Sequence, residues 1–160
     1  IQLIVAEVLE PKAIGDESWN LQALCLLLQQ KQIEFPNAKF LLSCRVHKPF
    51  QTKVPGSVLG RVISNLLNNA AEANRGQGEV YVRISNATEG CRIEIEDQGP
   101  GLPLELKPTI GKFGVSSKAE GPVRRGIGLF SAFQAIQKFG GRILLHDRTS
   151  NQGTTVSLNV

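Results

Sequence analysis

The sequence contains no methionine and only one tryptophan and one tyrosine among its 160 residues. Proteins that bind single-stranded nucleic acid stack bases on aromatic side chains set among basic ones, and this chain has no such pattern. It also has no apolar run near the roughly 20 residues that a membrane-spanning helix needs, since the longest candidate, Leu21 to Leu28, is interrupted by Gln22. No basic-then-apolar signal peptide opens the chain. These absences predict a cytoplasmic domain that does not bind nucleic acid.

Cysteine is also scarce: Cys25, Cys44 and Cys91 are odd in number and form no Cys-x-x-Cys pair. Disulfide frameworks and zinc sites both need paired spacing, so this usage argues for a reducing compartment and against zinc. Each cysteine lies inside an apolar segment, where a thiol behaves as a small hydrophobic group. We therefore predict that all three fill the core.

The net charge is modest, +4, but it is unevenly placed. Between Lys107 and Arg125 there are five basic residues and one acid, Glu120. A solvated loop explains this run, and so does a flexible cover over an anionic ligand. With 160 residues, of which 41% are hydrophobic, the chain fits one folded domain. Because it begins at Ile1 and lacks methionine, we expect it to be a piece of a longer protein.

Apolar periodicity predicts an α+β domain. Helices are predicted over about 18–31, with Ser18 as the cap, over 55–75 and over 126–139. Strands are predicted over 40–46, 80–84, 91–95, 142–147 and 154–160, the second and third as a hairpin. Ile1 to Lys12 is apolar at helix-like intervals. The pattern predicts a two-layer α/β sandwich, in which about three helices cover one face of a mixed, mostly antiparallel sheet of about five strands.

The second predicted helix has the strongest apolar period in the chain and a polar strip beside it. At about 100° per residue, Asn65, Asn69 and Glu72 project from the same side. Asparagine is a mediocre helix former, so three within five residues, Asn68 included, need a reason. An exposed face that tolerates them is one reason. Neutral oxygen ligands for a hard cation such as Mg²⁺ are the other.

A glycine-rich segment, Asp97-Gln98-Gly99-Pro100-Gly101, follows a predicted buried strand. Asp97 is either a turn residue or, if it faces a pocket, a hydrogen-bond acceptor that favours the amino group of adenine over the carbonyl group of guanine. Gly99 and Gly101 allow a positive φ and a close approach of the backbone to a ligand.

Two more glycine motifs follow. Gly126-Ile127-Gly128-Leu129 opens the third helix, where free N–H groups and the positive end of the helix dipole suit phosphate. By itself, such a pair equally indicates helix–loop flexibility. Gly153-Thr154-Thr155 leads into the last strand and alone would be a turn.

In this order, the motifs resemble one family. It is the ATP-binding domain shared by histidine kinases, gyrases, heat-shock chaperones and mismatch-repair proteins, the GHKL superfamily. Residues 65–73 resemble its asparagine box, 97–101 its first glycine box and 126–129 its second. The resemblance covers roughly residues 40–160 and points to the catalytic domain of a sensor histidine kinase. It implies a Bergerat-type sandwich that binds ATP and Mg²⁺ between the helices and a lid over about 102–125.

The resemblance also implies roles for residues of this chain. Asn69 would hold Mg²⁺ with help from Asn65, Asp97 would read the adenine amino group, and Lys118 would contact phosphates. Asn65, Asn69 and Lys118 would then be the catalytic residues. The implied nucleotide contacts are Asn65, Asn69, Glu72, Asp97, Gly99, Gly101, Lys118, Arg125, Gly126, Ile127, Gly128, Leu129 and Thr154.

One position distinguishes the ATP-hydrolysing branches of the superfamily from those that transfer a phosphoryl group. In its ATP-hydrolysing branches, the residue four before the magnesium-binding asparagine is a glutamate that activates water. Here this residue is Asn65, whose amide cannot accept a proton as a carboxylate can. The resemblance therefore implies transfer of the γ-phosphoryl group to another nucleophile, a histidine, by positioning and charge neutralisation.

Family members phosphorylate a histidine on a separate, dimerising helical hairpin and act with a response-regulator receiver domain. His47 and His146 lie at or in predicted strands, so we interpret both as structural and expect the acceptor in a missing upstream domain. Residues 1–17 would be the linker from that domain, and 18–160 the catalytic domain, monomeric by itself. Whether the parent protein is anchored in the inner membrane stays open.

Two departures from the family pattern leave other functions open. The second glycine box usually has a further glycine where Arg124 stands, and Phe113 is one place out of register, with Gly114 at the expected aromatic position. These changes favour, as an alternative, a degenerate nucleotide-binding or protein-docking module that transfers no phosphate. An anti-sigma-type serine kinase, which needs no upstream hairpin, is a further alternative.

Overall fold

The computed structural model describes residues 3–4, 19–46, 52–88, 90–101, 126–147 and 152–160. The predicted lid, 102–125, and His47 lie outside the described residues. In chain order, the elements are β1 (Leu3–Ile4), α1 (Leu21–Glu34), β2 (Ala38–Arg45), α2 (Gly56–Ala73), β3 (Gly78–Asn86), β4 (Cys91–Glu96), α3 (Gly126–Lys138), β5 (Arg142–Asp147) and β6 (Thr154–Asn159).

The strands form one mixed sheet in the order β1-β2-β3-β4-β6-β5. The pairs β1–β2 and β2–β3 are parallel, and the other three pairs are antiparallel. The predicted hairpin is confirmed, because β3 and β4 are antiparallel neighbours with Ile84 opposite Ile93. The predicted α+β class is confirmed as well, and the strand beyond the expected five is the two-residue β1.

One face of the sheet and the inner faces of the helices share a single core. Alternate side chains of the central strands are buried, as the alternating sequence predicts. They are Phe40, Leu42, Val80, Val82, Ile84, Cys91, Ile93 and Ile95. The apolar stripe of α2 meets them with Leu59, Val62, Ile63, Leu66, Leu67, Ala70 and Ala71. Because each large apolar side chain contributes about 1.5–3 kcal/mol when buried, this stripe fixes how α2 lies on the sheet.

One prediction about the N-terminal part was wrong. The cap of α1 is Asn20, whose side chain accepts a hydrogen bond from the Ala23 N–H at 2.9 Å, and not Ser18. Within the stretch Ile1 to Lys12, whose apolar residues recur at helix-like intervals, Leu3–Ile4 is a strand that pairs in parallel with β2. A short apolar run suits either structure, and here the free edge of β2 supplies backbone partners that favour a strand.

The cysteine prediction holds for two residues and in part for the third. Cys44 and Cys91 are buried, Cys25 is half-buried against the core, and all three are free thiols. Burial raises the pKa of the Cys91 thiol from its ordinary value of 9.0 to about 12. None of the described helices combines the length and the apolar character needed to cross a membrane.

Candidate functional site

The polar strip predicted on α2 is present. Asn65 and Asn69 are half-buried, and Glu72 is exposed. Residues four apart on a helix have Cβ atoms about 5–6 Å apart, so the two amides lie one above the other on the side of α2 that the core leaves open. Amide oxygens are hard, neutral donors, which suits a cation such as Mg²⁺ that keeps most of its waters.

Asn68, in the same run, was not predicted as a site residue. Its Oδ1 atom is buried and has no hydrogen-bond partner within the described structure. Leaving a buried acceptor unpaired costs roughly 1–3 kcal/mol, so the atom needs a donor or a cation that comes from elsewhere. The unusual density of asparagine was the sequence signal for this residue.

Asp97 comes directly after β4 and is held firmly. Only 6% of it is exposed. Its Oδ1 atom accepts hydrogen bonds from the backbone N–H of Gly99 at 2.8 Å and of Thr154 at 3.1 Å. The Asp97 N–H in turn donates to the Thr154 carbonyl oxygen at 2.9 Å. The predicted first glycine box and the Gly153-Thr154-Thr155 motif therefore meet at this carboxylate, and Thr154 contacts it through its backbone.

Gly99 lacks the predicted positive φ, and packing gives a separate reason for glycine at this position. Its φ is not in the positive range, and the neighbour it approaches is the end of α2. A Cβ atom added at Gly99 would lie 2.8 Å from the Cβ atom of Ala73 and 2.9 Å from the Ala73 carbonyl oxygen. Ala73 is four residues after Asn69, so this approach brings the 97–101 segment within about one helical turn of the asparagine strip.

Gly101 does have the predicted positive φ, +83°. A Cβ atom there would lie 3.5 Å from the carbonyl oxygen of Gly153, which precedes β6. Nearby, the Gln152 side chain donates to the Pro100 carbonyl oxygen at 3.4 Å. The 97–101 segment thus lies between the end of α2 and the beginning of β6.

Asn74 and Gln98 hold this segment from the α2 side, and sequence reasoning missed both. The Gln98 N–H donates to Asn74 Oδ1 at 2.7 Å, and Asn74 Nδ2 donates to the Glu79 carbonyl oxygen at 2.9 Å. Gln98 Oε1 accepts a hydrogen bond from the Glu79 N–H at 3.1 Å. Two of these bonds join residues 19 and 24 positions apart, and no local pattern in the sequence indicates them.

The second glycine box is described only in part. The backbone of Gly126, Ile127 and Gly128 forms the first turn of α3, as predicted. Leu129 is half-buried against the core, so packing accounts for its apolar side chain. The helix packs against α2 and β5. Lys118 and Arg125, the basic residues predicted to contact phosphates, lie outside the described residues.

The side chains that are described fit the implied ligands. Oxygen donors on α2 suit a hydrated Mg²⁺, and nowhere in the described parts of the chain do three His, Cys, Asp or Glu residues cluster as a soft or high-charge metal site would require. The oriented acceptor at Asp97 suits an exocyclic amino group. A depression of about 430 Å³ between the end of α1 and the beginning of β2 contains none of these residues.

Comparison with known proteins agrees with this geometry. Residues 56–160 match the family described as histidine kinase-, DNA gyrase B- and HSP90-like ATPase. The chain belongs to this ATPase family. The matched range contains every predicted site residue: those on α2, the Asp97 segment, α3 and β6, and also Lys118 and Arg125.

Similar proteins within the family are named as sensor kinases. Over 110 residues the chain is 34% identical to the sensor histidine kinase DpiB of Escherichia coli, covering 59% of this chain and 20% of that protein. Over 94 residues it is 35% identical to the sensor protein CitS of Halalkalibacterium halodurans, covering 56% and 17%. The chain thus spans about a fifth or less of the length of these relatives. A solved structure of a mycobacterial sensor histidine kinase, MprB, superposes with a TM-score of 0.73 at 25% identity, covering 91% of this chain and 95% of that one.

Proposed function

We propose that this chain is the ATP-binding catalytic domain of a two-component sensor kinase. It binds Mg-ATP and presents the γ-phosphoryl group to a histidine on a dimerising helical hairpin outside the chain. The observation that carries the proposal is the pair Asn65 and Asn69 on the open side of α2, one turn from the packed Asp97 segment. Membership of the ATPase family and the names of its sensor-kinase relatives support it.

Each part of the site has a defined task in this proposal. Asp97, oriented by the amides of Gly99 and Thr154, accepts a hydrogen bond from the adenine amino group. Asn69, assisted by Asn65, holds Mg²⁺, which neutralises phosphate charge when bound. The backbone N–H groups at the start of α3 bind phosphate oxygens. Gly101, Glu72, Lys118 and Arg125 complete the nucleotide contacts.

Asn65 decides between hydrolysis and transfer. A general base must accept a proton, and a carboxamide does so far more weakly than a carboxylate. Without a carboxylate at this position, residue 65 does not activate water near the γ-phosphate. The terminal phosphoryl group stays available for a stronger nucleophile such as an imidazole nitrogen, and catalysis consists of alignment and charge neutralisation.

The proposal extends to the parts not described. Residues 1–17, of which Leu3–Ile4 adds an edge strand to the sheet, link the domain to the upstream hairpin; 18–160 form the catalytic domain, and 102–125 form a lid over the nucleotide. The hairpin provides the dimer and the acceptor histidine, the partner of the whole kinase is a response-regulator receiver domain, and the catalytic domain works in the cytoplasm.

Calorimetry with ATP in the presence of Mg²⁺, ATP with EDTA, and GTP tests the binding half. We expect Mg²⁺-dependent binding of ATP and little binding of GTP; failure to bind any nucleotide would exclude the proposal.

A phosphoryl-transfer assay tests the second half of the proposal. It uses γ-labelled ATP and the parent's hairpin domain, with Asn69→Ala as the inactive control. An acid-labile, alkali-stable phosphoryl group identifies histidine, whereas an acid-stable one would indicate a serine kinase. Nucleotide binding without phosphoryl transfer would indicate the degenerate docking module, the alternative suggested by Arg124 and the altered lid.

A further inference from the structure

We propose that Asn74 and Gln98 form a positioning brace that sets the place of the Asp97 carboxylate relative to Asn69, and so determines the preference for adenine. The inference rests on the proposed nucleotide site. Neither residue is among those that the family motifs assign to the ligand. Both act through the loop that carries Asp97.

The brace is a closed ring of three hydrogen bonds. Asn74 Oδ1 accepts from the Gln98 N–H, Asn74 Nδ2 donates to the Glu79 carbonyl oxygen, and the Glu79 N–H donates to Gln98 Oε1. The ring connects three elements that are separate in the sequence: the end of α2, the beginning of β3 and the segment after β4. The Asn74 side-chain amide bonds both β3 and the segment after β4, and the Gln98 side chain closes the ring on β3, so neither element can shift without breaking a bond.

The beginning of β3 is shaped to admit the Gln98 side chain. Gly78 has φ +74°, and a Cβ atom there would lie 3.0 Å from Gln98 Oε1 and 3.9 Å from Asn74 Nδ2. A glycine at this position therefore satisfies the backbone conformation and leaves room for the ring. Asn74 is half-buried, and both polar atoms of its side chain bond within the ring.

The position of the ring gives it a functional consequence. Asn74 immediately follows α2, the helix that carries Asn69, and Gln98 immediately follows Asp97. The ring thus connects the two parts of the proposed ligand site. One part is the asparagine strip that would hold Mg²⁺, and the other is the Asp97 carboxylate that would bind the adenine amino group. Asp97 discriminates between bases only if its carboxylate stays in the plane of the base edge, because hydrogen bonds weaken steeply with misalignment.

The first test of the brace uses the domain without nucleotide. Amide hydrogen exchange at Gln98 is compared in the parent, in Asn74→Ala and in Asn86→Ala, a matched change at an exposed residue at the other end of β3. We expect exchange at Gln98 to be about tenfold faster in Asn74→Ala and unchanged in Asn86→Ala, because only the former loses the acceptor of this N–H. Unchanged exchange in Asn74→Ala would show that no brace exists in solution.

The second test measures selectivity. If the competent position of the loop becomes about tenfold less populated, the apparent affinity for ATP falls about tenfold. We expect this fall in Asn74→Ala with a smaller fall for GTP, so that the ATP:GTP ratio decreases, while the ratio of ATP affinity with and without Mg²⁺ stays that of the parent. Asn74→Asp keeps the oxygen that accepts from Gln98 but loses the donor to the Glu79 carbonyl oxygen, so its ATP:GTP ratio should lie between those of the parent and Asn74→Ala.

The outcomes separate the brace from the proposed function. Equal losses for ATP and GTP in Asn74→Ala, in parallel with a lower melting temperature, would make the ring merely structural and overturn the inference. A parent-like affinity and ratio in Asn74→Ala would overturn it too. A parent domain that binds no nucleotide would remove the proposed function and the selectivity role with it, whatever the exchange experiment shows about the ring.

Discussion

Gly99 offers a sharp test of how the Asp97 segment is held. Gly99→Ala introduces a Cβ atom 2.8 Å from the Ala73 Cβ atom and 2.9 Å from the Ala73 carbonyl oxygen, closer than real Cβ atoms approach such neighbours. Backbone strain is not involved, because the φ of Gly99 lies outside the positive range. The substitution therefore pushes the segment away from α2. The Asp97 carboxylate, which the N–H groups of Gly99 and Thr154 orient, moves with it.

The expected cost is that of overpacking a filled space, about 1–3 kcal/mol. For a domain of this size, 1 kcal/mol corresponds to about 2–4 °C in the melting temperature. Trp19, the only tryptophan, is buried, so its fluorescence during urea unfolding measures the change, and calorimetry measures ATP affinity in parallel. Gly140→Ala is the control: Gly140 has φ +78° and no atom within 4 Å of an added Cβ, so it should cost about 1–2 kcal/mol by backbone strain alone and leave ATP affinity unchanged.

A double-mutant cycle identifies the clash. Ala73→Gly removes the nearer of the two obstructing atoms but leaves the carbonyl oxygen, so it should restore only part of the loss caused by Gly99→Ala. Alone, Ala73→Gly should cost up to about 1 kcal/mol by helix propensity. The expected coupling is at least about 0.5 kcal/mol. Full stability and full ATP affinity in Gly99→Ala, or no recovery in the double variant, would refute the packing argument.

Three further predictions address the ligand groups and the core. Asp97→Asn should weaken ATP binding by about 1–3 kcal/mol in calorimetry, because an N–H₂ group would face the adenine amino group; parent-like affinity would place adenine elsewhere. Asn69→Ala should remove the gain in affinity that Mg²⁺ gives, while urea unfolding shows equal or slightly higher stability, since alanine is the better helix former; a retained Mg²⁺ effect would contradict its role. Because the pKa of Cys91 is raised from 9.0 to about 12, the free energy of unfolding should fall from about pH 9 toward pH 12, by up to about 1.4 kcal/mol per pH unit from this thiol. In Cys91→Ala, the unfolding free energy measured with urea should fall less steeply with pH over this range. An identical pH dependence in both proteins would contradict the prediction.

Most of the fold could be predicted because its signals are local and periodic. The stripe of α2 repeats at helical spacing over 18 residues, and β3 and β4 alternate at strand spacing around a hairpin, so burial of one face leaves a single arrangement for each. The N-terminal part has weaker signals. Ser18 and Asn20 are both good capping residues, and only the position of the helix start distinguishes them. The pairing of Leu3–Ile4 depends on an open edge of β2, which does not appear in the sequence of either segment.

The candidate site was predictable in its residue types but not in its internal contacts. The motif order indicated Asn69, Asp97 and Thr154, and the structure brings the last two into direct hydrogen bonding. The reason for Gly99 could not be predicted, because a close approach to Ala73 depends on how a loop crosses a helix 26 residues earlier in the chain. The brace by Asn74 and Gln98 was missed for the same reason: its partners are brought together by the sheet and not by spacing.

The composition of α2 supports the proposal that its asparagines serve a ligand. Relative to alanine, each asparagine costs a helix interior about 0.5–0.7 kcal/mol, so the three of them cost about 2 kcal/mol. The Oδ1 atom of Asn68 adds to this cost because it is buried without a partner in the described structure. The buried stripe of the same helix offsets the loss many times over. A sequence selected for folding alone would replace these residues at no loss, whereas a helix that must present oxygen atoms to a cation cannot.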